Sequence, residues 1–180
     1  MKYSIELYFE RSFEEKLCSL WTELQSAGLP SVLPQMGSRP HLTLIILDRC
    51  DEDHVAGLID RHVKGHFKFS IAFPAFSIIS GVRNSVFLTP AIKPELIDIQ
   101  RSLYNLIEEN SYSIQEHYAP HNWLPHCSIS KGLSPAEALK TLEVCLYYGI
   151  KGETWVTDIG FIKFRPRKVI KTIGIADKND

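Results

Sequence analysis

No CxxC pair, no long apolar run and no excess of either charge occurs in this chain, and each absence closes a class of function. The 4 cysteines, Cys18, Cys50, Cys127 and Cys145, stand too far apart for paired metal-binding or redox motifs. A chain of 180 residues buries enough surface to need no disulfide staples, so the cysteines read as free thiols of a reducing compartment, and a cytoplasmic location is expected. The longest aliphatic run, LTLIIL, falls far short of the roughly 20 residues a membrane span needs. MKYSIELYFE alternates where a signal peptide would be uniformly apolar, and no membrane partner is expected. Net charge is -1 at pH 7, which denies the protein a global basic field. Any contact with a polyanion must come from a local patch. No low-complexity segment or linker divides the chain, which reads as a single domain over 1–180 and a monomer.

What is present is an alternation of strand and helix signals. KYSIELYF (2–9) alternates as a strand does. Ser12 with Glu15 three positions on has the form of a capping box for a helix carrying Leu17, Leu20, Trp21 and Leu24. A loop over 30–40 leads into HLTLIIL, a buried strand. Asp51 to about Val63 is a second helix, 67–79 is β-rich with a break at Pro74, and SVFLTPAI is the return strand. Pro94 opens a third helix and Ser134-Pro135 a fourth over 135–148. Between them 108–122 is a polar loop, and Trp123–Ser130 is a strand.

One motif occurs twice. Residues 40–44 read Pro-His-Leu-Thr-Leu, and 125–129 read Pro-His-Cys-Ser-Ile. With 10 prolines and 7 histidines in 180 residues, composition makes two such matches a rare coincidence. His121 serves as a control: a proline precedes it, but Trp123 stands where the hydroxyl would be. Each copy is followed by a helix and then two strands, so the chain reads as two β-α-β-β halves. The expected fold is α+β and bilobal, its halves related by a pseudo-twofold, with antiparallel sheets lining a central cleft and helices outside.

On a strand, residues i and i+2 share a face about 6.6–7 Å apart. His41 and Thr43 therefore point one way, as do His126 and Ser128, while Leu42 and Cys127 point the other. Two imidazoles and two hydroxyls converging on one ligand suit an in-line displacement at phosphorus. One neutral ring accepts the nucleophile's proton, the other ring donates to the leaving oxygen, and the hydroxyls bond the non-bridging oxygens. Such chemistry calls for no metal and no cofactor.

The paired motifs resemble the H-x-[ST]-x signatures of the two-histidine (2H) phosphoesterase superfamily, which includes bacterial 2'-5' RNA ligase-like proteins and cyclic phosphodiesterases. That resemblance implies His41 and His126 as the acid/base pair and Thr43 and Ser128 as phosphate ligands. It implies a metal-independent phosphoesterase whose substrate is an RNA end or a small nucleotide with a 2',3'-cyclic phosphate or a 2'-5' linkage. The competing reading is a non-catalytic nucleotide- or RNA-binding module of the same fold.

Other residues carry weaker signals. His117, His121 and His126 could suggest zinc, but the series crosses a proline and a change from loop to strand, which no single register aligns. Cys127 neighbours His126, yet strand alternation turns it from the cleft into the core. Arg83 is a possible substrate contact. Lys163, Arg165, Arg167, Lys168 and Lys171 form a basic hairpin edge, as suited to solvation as to phosphate. Phe73, Phe76, Tyr118 and Trp123 could stack a base but fit core packing better. His54, His62 and His66 read as solvated.

Overall fold

Eight antiparallel strands form one sheet in the computed structural model, which describes residues 2–150, 152–164 and 166–178. The sheet runs β3 (Phe69–Ala72), β7 (Glu153–Phe164), β1 (Lys2–Phe9), β2 (Leu42–Leu47), β6 (Cys127–Leu133), β5 (Asn84–Thr89), β4 (Ala75–Ile79). β8 (Lys168–Gly174) lies beside β3 on the same edge of β7, with β3 taking Glu153–Val156 and β8 taking Asp158–Lys163.

The sheet is pinched at its middle. β2 and β6 share a single registered pair, Leu42 with Cys127. Beyond it the strands part, and the chain at 113–115 fills the gap on β2. There Asp48 N–H donates to the Ser113 carbonyl at 3.3 Å and Gln115 N–H to the Ile46 carbonyl at 2.9 Å. The two lobes of the α+β fold are the sheet on either side of that pair.

The strand order also shows how the halves interlock. β1 neighbours β2, and β5 occupies the equivalent place beside β6; β7 and β4 then lie beyond them. The helices exchange lobes as well. α1 (Arg11–Ser26) follows β1 but packs on β6 and α5 (Pro135–Tyr148), whereas α4 (Pro94–Glu109) follows β5 but packs on β2 and α3 (Glu52–Val63). Chain order alone conceals this crossing, because the β-α-β-β succession is the same whether or not neighbours trade places.

Both motif strands carry a bulge at the same offset. In β2, Thr43 pairs with Glu6 and Ile45 with Ile5, so Leu44 is the extra residue. In β6, Ser128 pairs with Phe87 and Ser130 with Val86, so Ile129 is the extra residue. An extra residue reverses the facing of everything after it. Leu44 and Ile45 accordingly both enter the core at 0% exposure.

The helices bury the stripes that their periodicity marks. Leu17, Leu20, Trp21 and Leu24 of α1 are buried, as are Val55, Leu58, Ile59 and Val63 of α3. α5 begins with a full capping box, Ser134 with Glu137, and closes on Gly149 at φ 68°, the left-handed turn that glycine tolerates. α3 is capped by Asp51, whose carboxylate accepts the His54 N–H at 2.9 Å.

Three expectations need correction. Ser12 is not the first helix's cap: α1 starts at Arg11 directly after the strand, and Glu14 accepts the Phe9 N–H at 3.0 Å. Glu15 instead pairs with Arg11 on the surface. The loop before the first motif contains a short helix, α2 (Val32–Gln35), and the β6 strand starts at Cys127 instead of Trp123. In both motifs the proline before the histidine has no N–H to give a ladder, so pairing begins one residue after the imidazole.

Candidate active site

His41 and His126 are each the last residue before the central strand pair. Extending the Leu42–Cys127 register by one residue in either direction sets Thr43 opposite His126 and Ser128 opposite His41. All four side chains then lie on the face away from Leu42 and Cys127.

The two rings are held in the same way. Nδ1 of His41 lies 2.6 Å from the Arg39 carbonyl, and Nδ1 of His126 lies 2.7 Å from the Leu124 carbonyl, each two residues back. A carbonyl only accepts, so Nδ1 carries the hydrogen in both rings and Nε2 keeps its lone pair or its exchangeable proton. The orienting carbonyls are themselves anchored. Arg39 places its guanidinium 4.0 Å over the Tyr8 ring, bonds Glu14 at 2.7 Å and lies 3.6 Å from Asp158. Trp123, beside Leu124, donates its indole N–H to the Thr43 carbonyl at 3.0 Å, tying the second motif to the first.

The surroundings of the rings differ. Beside His41 stands Glu6 of β1, paired with Thr43 and fully buried, its Oε1 3.7 Å from His41 Nε2. The Glu6 carboxylate accepts from Ser4 at 2.6 Å, from Tyr8 at 2.9 Å, and from Arg167 at 3.2 and 3.4 Å. Burial alone would raise its pKa. The His41 charge and the bonds and charge of Arg167 and Ser4 outweigh that and hold it below the ordinary carboxylate value. In the equivalent place beside His126 stands Phe87, paired with Ser128, with its ring centre 5.0 Å from the imidazole. Burial lowers the His126 pKa from 6.5, the Lys131 and His41 charges add to this, and the Leu124 carbonyl opposes it.

Thr43 is hydrogen-bonded to the Tyr118 phenol, whose pKa burial and Glu6 push up to about 12. Ser128 is buried, at 8% exposure. Sequence reasoning missed Glu6 and Lys131, and read Tyr118 as a core or base-stacking aromatic with no link to Thr43. The Ile129 bulge turns Ser130 inward, where it bonds the Pro30 carbonyl, and turns Lys131 to the cleft face. Much of Lys131 is exposed, yet desolvation lowers its ammonium pKa, and it feels Glu6 and Cys127 as well as His126. A phosphate held between the imidazoles would meet two hydroxyls and this ammonium.

The remaining named residues lie elsewhere. Arg83 sits in the exposed β4–β5 turn near Glu137, and Asn84 pairs with Leu133, so the register puts it at the far end of β6 from His126. Cys127 is wholly buried, with its thiol pushed up to about 12 by desolvation. His117 and His121 are exposed, and His121 lies 3.6 Å from Glu116. Of the basic hairpin, Arg167 turns inward to Glu6, Lys163 bonds Glu52 and Lys171 bonds Asp60, while Arg165 is outside the described residues. Phe73 packs against Phe9 and Phe13 in the core. His62 is not solvated: it is half-buried, with its ring tilted against that of His66 at 4.5 Å between centres. A cavity of about 660 Å³ lies apart from His41 and His126, at His66, Phe67, Lys93 and Trp155. Lys93 there is already paired with Glu153.

The family model described as the 2'-5' RNA ligase superfamily matches residues 13–167, a span containing both motifs. No curated protein matches the chain. Among solved structures, TT0787 of Thermus thermophilus superposes with a TM-score of 0.70 at 15% identity, covering 99% of this chain and 100% of that one. LigT of E. coli in its apo form gives 0.61 at 13%, covering 98% of both chains. Usb1 of Kluyveromyces marxianus with uridine monophosphate gives 0.51 at 8%, covering 97% of both. At these identities the likeness is one of fold.

Proposed function

Because the chain belongs to the 2'-5' RNA ligase superfamily, a group of 2H phosphoesterases, we propose that it opens 2',3'-cyclic phosphates or 2'-5' phosphodiester bonds at RNA ends or in small nucleotides. The observation that carries this reading is the matched locking of the two rings, Nδ1 on a carbonyl two residues back at 2.6 and 2.7 Å, on either side of the single β2–β6 pair. Both Nε2 atoms are thereby free for proton transfer. One ring takes the proton of the attacking water or hydroxyl, and the other protonates the departing oxygen. Thr43, Ser128 and Lys131 bond the non-bridging oxygens, where charge accumulates. Each proton transfer contributes typically about 10² to 10⁴ in rate, or roughly 3–5 kcal/mol. The neighbour Usb1 binds uridine monophosphate, which is consistent with a nucleotide in the cleft.

The test is hydrolysis of a 2',3'-cyclic nucleotide by the wild-type protein and by His41→Ala and His126→Ala. Turnover by the wild type and its loss in both variants, with the fold kept, supports the reading. Wild-type rates in both variants would sink it. Tight binding without product would favour the binding module instead.

A further inference from the structure

We propose that Glu6 is a positioning residue that divides the labour between the two histidines: it keeps the proton on His41, which becomes the acid, and leaves His126 to act as the base. This rests on the paired-histidine reading above and deepens it. The doubled motif is symmetric in its proline, histidine and hydroxyl, in its bulge, and in its Nδ1 bond. The symmetry breaks at the residue paired with the hydroxyl. That residue is Glu6 opposite Thr43 and Phe87 opposite Ser128. One ring therefore faces a carboxylate, the other a benzene ring.

The groups around His41 come from five elements. β1 supplies Glu6 and Tyr8, the β7–β8 turn supplies Arg167, and the loop before β2 supplies Arg39. The 3-10 turn Glu116–Tyr118 supplies Tyr118 through Thr43, and β6 supplies His126 and Lys131. Arg39 is itself engaged by Glu14 of α1 and Asp158 of β7. Arg167 bonds Oε2 at 3.2 Å and Oε1 at 3.4 Å, and Oε1, which also accepts from Ser4 at 2.6 Å, lies 3.7 Å from His41 Nε2. A protonated His41 gains an ion pair there. His126 has no carboxylate partner among the described residues, and a second positive ring would face both His41 and Lys131.

The resulting step balances. As the attacking oxygen bonds to phosphorus, its proton passes to Nε2 of His126. As the bond from phosphorus to the departing oxygen breaks, Nε2 of His41 hands its proton to that oxygen. Proton exchange with water restores both rings. The partners of Glu6 fit an orienting role: Ser4 and Arg167 hold Oε1, Tyr8 and Arg167 hold Oε2, and the carboxylate charge is thereby fixed beside His41.

The experiment is kcat/KM against pH with a 2',3'-cyclic nucleotide for wild type, Glu6→Gln and Arg167→Met, with the ring resonances of both histidines followed by NMR in the free proteins. Removing the carboxylate is expected to move the alkaline limb to lower pH by about one unit, the scale of an opposite charge at this distance, while the acid limb stays. Removing the guanidinium leaves Glu6 uncompensated, and the alkaline limb moves to higher pH. The His41 resonances follow those limbs and the His126 resonances do not. A uniform fall in rate with fixed limbs, a shift of the acid limb, or equal movement of both limbs would overturn the assignment. If Glu6→Gln does not fold, the opposite shift in Arg167→Met and its His41 resonances decide the matter. A wild type without turnover would instead refute the paired-histidine reading, and the resonances would still report whether Glu6 governs His41.

Discussion

Leu42 faces Cys127 across β2 and β6, and this pair is the whole registered contact between the two strands. Both side chains are fully buried on the core side, so the histidines before them and the hydroxyls after them are thrown together on the opposite face. One apolar pair thus sets the register of the four polar groups of the proposed site. Truncating it as Leu42→Ala should cost about 2–5 kcal/mol, as buried leucines generally do. Activity should fall further than stability requires, because the rings lose their common register. Denaturant unfolding run beside the hydrolysis assay checks both.

The Cys127 thiol is a related case. Desolvation keeps it protonated, and only thiolates react with thiol reagents at useful rates. Cys18 is exposed and Cys127 is not. A maleimide at neutral pH should label Cys18 in the folded protein and reach Cys127 only after denaturation. Turnover kept in Cys127→Ala would also dispose of a thiol nucleophile beside His126.

The acid limb of kcat/KM reports the base of the free enzyme. Burial holds His126 below the ordinary histidine value, with Lys131 adding to the shift. The ring therefore stays neutral as pH falls through 6.5, and activity should persist to lower pH than an unperturbed histidine would permit. Lys131→Met removes one of the depressing charges, so the acid limb should move to higher pH. The same variant deletes a phosphate ligand, so KM should rise. A pH–rate series on this one variant tests both effects.

How much of this was legible depends on whether local pattern or long-range register decided the matter. The Ser134-Pro135 cap and the buried helix stripes depend on neighbours a few residues apart, and they read correctly. Lys131 was invisible because strict alternation from Ser128 puts it in the core. Only the bulge at Ile129, set by pairing with Phe87 and Val86, turns it outward. Glu6 looked like one polar slot of an alternating strand with a wet face, but that face is covered by Arg167 and Tyr8 from 161 and 2 residues away. Tyr118 lay in a stretch without periodicity, held by the buried Gln100 of α4 through its carbonyl at 2.8 Å.

His62 is a different case and yields a stability prediction. It stands seven, four and three residues after Val55, Leu58 and Ile59 of the buried stripe of α3, so spacing places it on the covered face and only its residue type suggested solvent; its Nε2 has no hydrogen-bond partner among the described residues. Burial, and then the charge of neighbouring His66, bring its pKa down to about 4, against a bond to the Ile99 backbone that raises it. Because the folded value lies below the unfolded one, the unfolded chain binds more protons between the two. The protein should lose stability as pH falls from about 6.5 to about 4, by roughly 1–3 kcal/mol after allowance for partial solvation of the ring. His62→Phe should flatten that decline without altering turnover at neutral pH. Glu6, whose folded value is also lowered, loses its contribution only at lower pH still, so the two effects separate. Unfolding midpoints from pH 7 to pH 4 check this.

Gly160 of β7 pairs with Glu6, and a methyl group there would overlap the Tyr8 ring. The glycine leaves room for a phenol that lies flat beneath the Arg39 guanidinium and donates to Glu6 at 2.9 Å. Gly160→Ala must therefore displace Tyr8, which is 2% exposed and has nowhere to go. Overpacking of this kind costs about 1–3 kcal/mol, or roughly 2–12 °C in Tm for a chain of this size. The displaced phenol also releases one of the bonds that hold Glu6, so the hydrolysis rate should fall along with stability. If the overlap with Tyr8 is the cause, shrinking that side chain must relieve it. Tyr8→Leu combined with Gly160→Ala should then cost less than the two substitutions summed, a coupling that a double-mutant cycle on unfolding free energy measures directly. Strict additivity would mean that the strand backbone, and not the phenol, is what a side chain at 160 disturbs.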